Sequence, residues 1–204
     1  MSQISKECEK AASTLTSFIE NRKMPIEVLA GAKGLAIFSA FRAGMYFAGS
    51  SGSGVVVARL PNGTWSPPSG FSVKSGGVGF VYGVDVFDCV CVLNTQAAVD
   101  AYTSPEFKVG GRVDFAAGPV GGKFDAGETP PVWTYTKSRG VYGGVTFDGT
   151  SIKEQVKANT EFFGEPVAAA NILQGKVQDQ KGSTQWPAGA EALTIALESV
   201  AKKG

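Results

Sequence analysis

The sequence contains no histidine. Imidazole acid/base work, Ser-His-Asp and Cys-His nucleophilic sites and histidine-ligated zinc are therefore outside its reach. Cysteine is scarce. Cys8, Cys89 and Cys91 are too few for a zinc tetrad, and Cys89 and Cys91, two apart on an expected strand, point to one face. All three read as buried thiols of a reducing cytosol. Charged residues make up 18% of the chain, below the usual ~25%. The 19 Lys+Arg against 18 Asp+Glu leave a formal charge of +1, with no block of like charge, so no nucleic-acid partner is expected: counterion release needs clustered cations. The start, Met1-Ser2-Gln3-Ile4 followed by alternating charges, resembles neither a secretory signal nor a transit peptide, and a cytoplasmic location follows. One stretch, Leu35 to Val57, is long and nearly uncharged, but Arg42 lies inside it with Gly44, Gly49, Gly52 and Gly54. A central arginine costs about 2.5–3.5 kcal/mol on insertion scales, so no transmembrane segment is expected.

What is abundant is apolar residues, at 43%, and glycine, 27 of 204, about twice the ordinary ~7%. The length and apolar content suit a single domain over residues 1–204. Ile4, Cys8, Ala11, Leu15, Phe18 and Ile19 share one face of an amphipathic helix from Ser2 to about Asn21. Pro25 opens a shorter helical piece through Leu29. From Leu35 to Phe147 short runs of Val, Phe and Tyr alternate with turn residues, the signature of strands. Asn62-Gly63 marks a hairpin turn. Val84 to Leu93, apolar on both faces except at Asp85 and Asp88, reads as a central covered strand. Ser151-Ile152-Lys153-Glu154 has the pattern of a capping box opening a helix to Gly164, followed by helices over 166–173 and 188–202. The expected class is α+β: a glycine-bent antiparallel sheet or partly closed barrel flanked by N- and C-terminal helices.

Catalytic patterns are weak. Gly77-Val78-Gly79 to Gly83 places its third glycine one position late for a dinucleotide fingerprint, with no helix after it. Asp85, Asp88, Asp114, Asp125, Glu128 and Asp148 are the candidates for paired-carboxylate hydrolysis or calcium, but Asp85 and Asp88 are expected to point to opposite faces and most of the others flank turns. No enzyme, metal or cofactor is expected. Lys6, Lys10, Arg22, Lys23 and Lys33 would meet anionic headgroups if the first helices bring them together, although Glu7, Glu9, Glu20 and Glu27 interleave with them.

The blocks from Val28 to Phe38, Ala43-Gly44, Gly52 to Val57, Gly63 to Pro68, Val90 to Asn94, Ala117 to Gly121, Tyr135 to Val145, Asp148-Gly149 and Ala158 to Gly164 resemble, in order, the SYLF domain family of phosphoinositide-binding domains. The resemblance spans about Ser5 to Leu197. It implies a non-catalytic domain that binds phosphoinositide membranes, partly through a lysine-bearing N-terminal helix matched here by Lys6 and Lys10, and, as in fungal relatives, actin filaments at endocytic patches. The expectation is thus a cytoplasmic adaptor, peripheral to membranes at cortical actin or endosomal sites. Two other readings stay open: an actin-filament protein with incidental lipid contact, and a carrier of a hydrophobic ligand in a sheet cavity.

Overall fold

The computed structural model describes residues 1–108, 115–117, 129–177 and 186–201, with side chains except at 45–48, 77–81, 107–108, 115–117, 141–149 and 201. The chain runs α1 (Gln3–Glu20), a single 3-10 turn (Ile26–Leu29), β1 (Gly34–Ala58), β2 (Ser69–Leu93), α2 (Gln96–Ala101), β3 (Glu106–Lys108), β4 (Phe115–Ala117), β5 (Val132–Ser138), β6 (Val141–Glu154), α3 (Val156–Phe163), α4 (Ala169–Leu173) and α5 (Glu191–Ala201). This is the expected α+β class. The six strands form one open sheet in the order β3-β6-β2-β5-β4, with β1 along the other edge of β2. Every pairing is antiparallel except β4 with β5. Among the described residues β3 and β4 do not pair with each other, so the barrel alternative is not realised.

The long hairpin β1–β2 is the frame. Its turn is the Asn62-Gly63 pair: Gly63 has φ 83°, and Asn62 Oδ1 accepts the Thr64 N–H at 3.0 Å, an Asx turn. Fully extended, residues 39 and 52 of β1 would lie about 43 Å apart at ~3.3 Å per residue. Instead the backbones touch. A Cβ on Gly52 would fall 2.5 Å from Ala40 Cβ, and one on Gly54 would fall 2.5 Å from Phe38 Cβ. Strand β1 is therefore bent back on itself near the register shift between Met45 and Phe47, and glycine is what lets its two halves meet.

Residues Val84 to Leu93 are central, as their apolarity implies, flanked by β1 and by β5. One face packs Ile37, Val90 and Val92 against Ile4, Cys8, Leu15 and Phe18 of α1 and Leu193 and Leu197 of α5. The other packs Ala36, Phe71, Cys89 and Cys91 against Tyr102 and Leu173. The helix expected from Ser151 begins later. Ser151 to Glu154 pair with Phe71 to Lys74 of β2 as the end of β6, Ile152 is buried, and α3 starts only at Val156. The ladder to a strand 80 residues away outweighs a local cap that would be worth about 1 kcal/mol.

All three cysteines are buried and free. Burial pushes the Cys8 thiol up to about 12, with Glu7 and Glu9 adding to it. The Cys89 thiol is raised by its hydrogen bond with Cys91, 3.7 Å away, and by burial. All three thiols are out of reach of solvent, so a charged disulfide reagent at pH 8 is expected to modify no cysteine in the folded protein and all three in denaturant.

Candidate functional site

Helix α1 carries two of the candidate cations, Lys6 and Lys10, and the turn after it carries Arg22 and Lys23; the helix ends explain where they stand. At the N-terminus Ser2 Oγ accepts the Ser5 N–H at 3.1 Å, an N-cap. At the C-terminus the Arg22 N–H donates to Ile19 O and the Lys23 N–H to Phe18 O, the two bonds of a Schellman motif. Arg22 occupies the left-handed position of that motif, φ 53°, where glycine is usual. Along the helix Ile4, Cys8, Ala11, Leu15 and Phe18 are buried in the core. The apolar stripe of the docked helix is therefore consumed by packing, and only its outer face is available to a partner.

Lys6, Lys10, Arg22, Lys23 and Lys33 are all exposed. Lys6 and Lys10, one turn apart, share the outer face of α1, and Lys10 Nζ lies 3.7 Å from Glu7 Oε1. Glu7 is not part of a solvated face. It is buried and accepts the Ser53 hydroxyl at 2.7 Å, which ties α1 to the returning half of β1. Arg22 and Lys23 are adjacent in the turn beyond the helix, and Lys10 and Glu20 are separated by about 15 Å of helix axis at ~1.5 Å per residue. The cations thus form a pair near each end of α1. Lys33 extends the β1 ladder through its backbone, donating to Leu93 O and accepting from Arg59 N, with its side chain outward.

One cation escaped the sequence reading. Lys137 of β5 donates through Nζ to Ser17 Oγ at 3.2 Å, and Ser17 Oγ also accepts from Asn21 Nδ2 at 3.3 Å. Lys137 therefore joins the end of the helix that carries Arg22 and Lys23. It lies 120 residues away in sequence, and no local pattern announces that contact. Arg59 is also placed by packing: its guanidinium lies 4.0 Å over the Trp65 ring and donates to Gly63 O and Leu29 O.

Two of the candidate acids, Asp85 and Asp88, are occupied. Asp85 and Asp88 point to opposite faces, as their spacing requires. Asp85 Oδ2 accepts from Arg42 Nε and Nη2, at 3.0 and 2.7 Å, and from Ser138 Oγ at 2.5 Å. Its Oδ1 accepts the N–H groups of Arg139 and Gly140, at 3.0 and 2.7 Å. Burial by itself raises the Asp85 carboxyl, but the bonds from Ser138, Arg42, Gly140 and Arg139 outweigh it and hold the pKa at about 2. Asp88 accepts from Ser39 Oγ at 2.7 Å and pairs with the Arg139 guanidinium. A carboxylate bonded in this way is a structural anchor, not a proton carrier. Asp114, Asp125 and Glu128 lie outside the described residues, as does the side chain of Asp148. Among the described residues no three His, Cys, Asp or Glu side chains gather as a metal site, and no helix is long and apolar enough to cross a membrane.

Two surface hollows adjoin the helices. One of about 450 Å³ runs between α1 and α5, past Ser13, Ser17 and Ile195. The other, about 410 Å³, is lined by Ile26, Leu29, Arg59, Trp65, Leu197 and Val200.

A family model described as Ysc84, Las17-binding protein actin regulator, matches residues 74–200. The chain is similar to LAS seventeen-binding protein 3 of Saccharomyces cerevisiae, 37% identical over 96% of this chain and 44% of the yeast protein. It is also similar to Protein YSC84 of the same yeast, 37% identical over 96% of this chain and 43% of that protein. A third relative, SH3 domain-containing YSC84-like protein 1 of Homo sapiens, is 36% identical over 99% of this chain and 60% of the human protein. The chain thus spans about half the length of the curated relatives it matches. No solved structure matches it. With more than half of the chain inside the family model and relatives aligned over nearly all of it, this chain belongs to the Ysc84, or SYLF, family of actin regulators.

Proposed function

We propose that this chain is a phosphoinositide-dependent membrane-binding domain that links membranes to actin at endocytic sites, in the cytoplasm and peripheral to the bilayer. No reaction is assigned to it. The observation that carries the reading is the disposition of α1: its apolar stripe is locked in the core while Lys6, Lys10, Arg22 and Lys23 all face outward. Lipid phosphates are met electrostatically by these side chains and Lys33, each near-surface cation contributing about 1 kcal/mol. The left-handed Arg22 supports this further, because a strained conformation at a non-glycine residue tends to be kept where the side chain has a task.

Flotation with phosphoinositide-containing vesicles at moderate salt tests the reading. Lys6→Glu with Lys10→Glu is expected to weaken binding at least about thirtyfold, the equivalent of ~2 kcal/mol, with the fold intact. Arg22→Gly relieves the left-handed strain, so it is expected to stabilise the fold by about 1 kcal/mol while still weakening binding. Unchanged flotation of the folded double variant removes the helix from the mechanism. The family's description as actin regulators favours one rival, a filament-binding protein with incidental lipid contact. Co-sedimentation with filaments in the absence of lipid, undiminished in the same lysine variants, decides for it.

A further inference from the structure

We propose that the apolar outer face of the β1–β2 ribbon, formed by Phe41, Tyr82, Val84 and Val86, is a second contact that seats in the boundary between lipid headgroups and acyl chains. This rests on the membrane reading above and supplies what α1 cannot. A docked α1 offers charge alone, since its apolar stripe is in the core. Peripheral attachment is strongest where cations and apolar side chains act together.

Phe41 pairs with Val86, Ala43 with Val84 and Met45 with Tyr82 across the two strands. By alternation these residues lie on the same face as Ile37 and Val90, the face on which α1 packs. The helix ends before it reaches them. Its last full turn meets β5 through Ser17 and Lys137, in the row of Ser39 and Asp88. The next rows are uncovered: Phe41 is 51% exposed, Tyr82 77%, Val84 55% and Val86 44%. Four contiguous large apolar side chains on one strand pair mark an interaction surface rather than scattered exposure.

Charge selects the occupant. Among the described residues the ionisable side chains in these rows are Asp88, Lys137 and Arg139, the last opposite Val86 through its backbone bond. Asp88 is buried and paired with Arg139, so the groups that reach outward are the cations Lys137 and half-exposed Arg139, with one net positive charge among the three. An anionic lipid surface complements such a patch. A second copy of the chain on a two-fold axis would set these cations against their own images. Tyr82 suits the same boundary, with an apolar ring and a hydroxyl that remains wet.

The three native thiols are buried, so Val84→Cys offers a single accessible site for an environment-sensitive fluorophore. With vesicles of phosphatidylcholine, phosphatidylserine and a phosphoinositide, a several-fold rise in emission is expected, quenched by nitroxides placed high on the acyl chain. Vesicle-bound protein whose label emission does not change overturns the ribbon contact and leaves the electrostatic reading standing. Wild-type protein that fails to float overturns both. An emission rise without vesicles that grows with protein concentration assigns the face to self-association and also overturns the proposal. As a label-free check, Phe41→Ser with Val84→Ser is expected to weaken binding about tenfold, leave melting unchanged, and abolish the fraction that survives high salt. A folded double variant with the wild-type salt-resistant fraction rules the contact out.

Discussion

Asp85→Ala is expected to destabilise the fold by about 3 kcal/mol, the low end of the cost of removing one partner from a buried ion pair, because the charge left behind still reaches water. The carboxylate is fully buried while its partner Arg42 is about one-third exposed. Loss of the carboxylate takes an acceptor from the guanidinium, the Ser138 hydroxyl and two backbone N–H groups at once. A Cβ on Gly140 would fall 2.7 Å from Asp85 Cα, so the two backbones are in close contact where the carboxylate bridges them. Urea unfolding is the direct measure: the midpoint should fall with an unchanged slope. A midpoint within error of wild type would mean that water replaces the carboxylate at little cost. Because the same contacts hold the β5–β6 junction, the substitution is also expected to loosen Arg139 from Asp88, and with it the outward charge beside the ribbon face.

The same residue sets a pH dependence with a definite sign. Its pKa is held at about 2 in the folded protein, below the ordinary 3.8. Ionised Asp85 is therefore favoured by folding, so its contribution is fully present above about pH 5 and is lost as pH falls toward 2. At 1.36 kcal/mol per unit this amounts to about 2 kcal/mol. Asp85→Asn should show a shallower loss of melting temperature between pH 5 and pH 2 than wild type, although it starts lower.

Features set by short-range pattern were legible in the sequence. The buried stripe of α1, the Asn62-Gly63 turn and the covered strand around Val90 depend on periods and on one turn's backbone angles. Features set by distant partners were not. Glu7 looks solvated by its neighbours in sequence, yet Ser53 draws it inward. Ser151 looks like a helix cap, yet β2 claims it as strand. Lys137 gains its place at the last turns of α1 only because the helix crosses the sheet as far as β5. The candidate cations were legible as residues, but their separation into two groups follows from helix length once the helix is docked. Bending of the sheet was legible from glycine content, and Gly44, Gly49, Gly52 and Gly54 look in the sequence like turns between strands; that they lie within one strand, with Gly52 against Ala40 and Gly54 against Phe38, was not.

Those glycines carry the other large effect. Gly54→Val is expected to destabilise by more than ~3 kcal/mol, beyond the usual range for overpacking. The new Cβ would meet the Ile37 carbonyl and Phe38 Cα and Cβ, and backbone cannot swing aside as the end of a long side chain can. Local propensity predicts the opposite sign, because valine is favoured over glycine in a strand and would extend the run Val55-Val56-Val57. Gly76→Val separates the two arguments. Gly76 lies in β2 with nothing within 4 Å of an added Cβ, so valine there should be neutral or mildly stabilising. If both variants behave alike in thermal melts, β1 is not folded on itself in solution. If Gly54→Val alone is lost, the two halves of the strand touch, and the uncovered rows around Phe41 and Tyr82 stand at the bend that this contact creates.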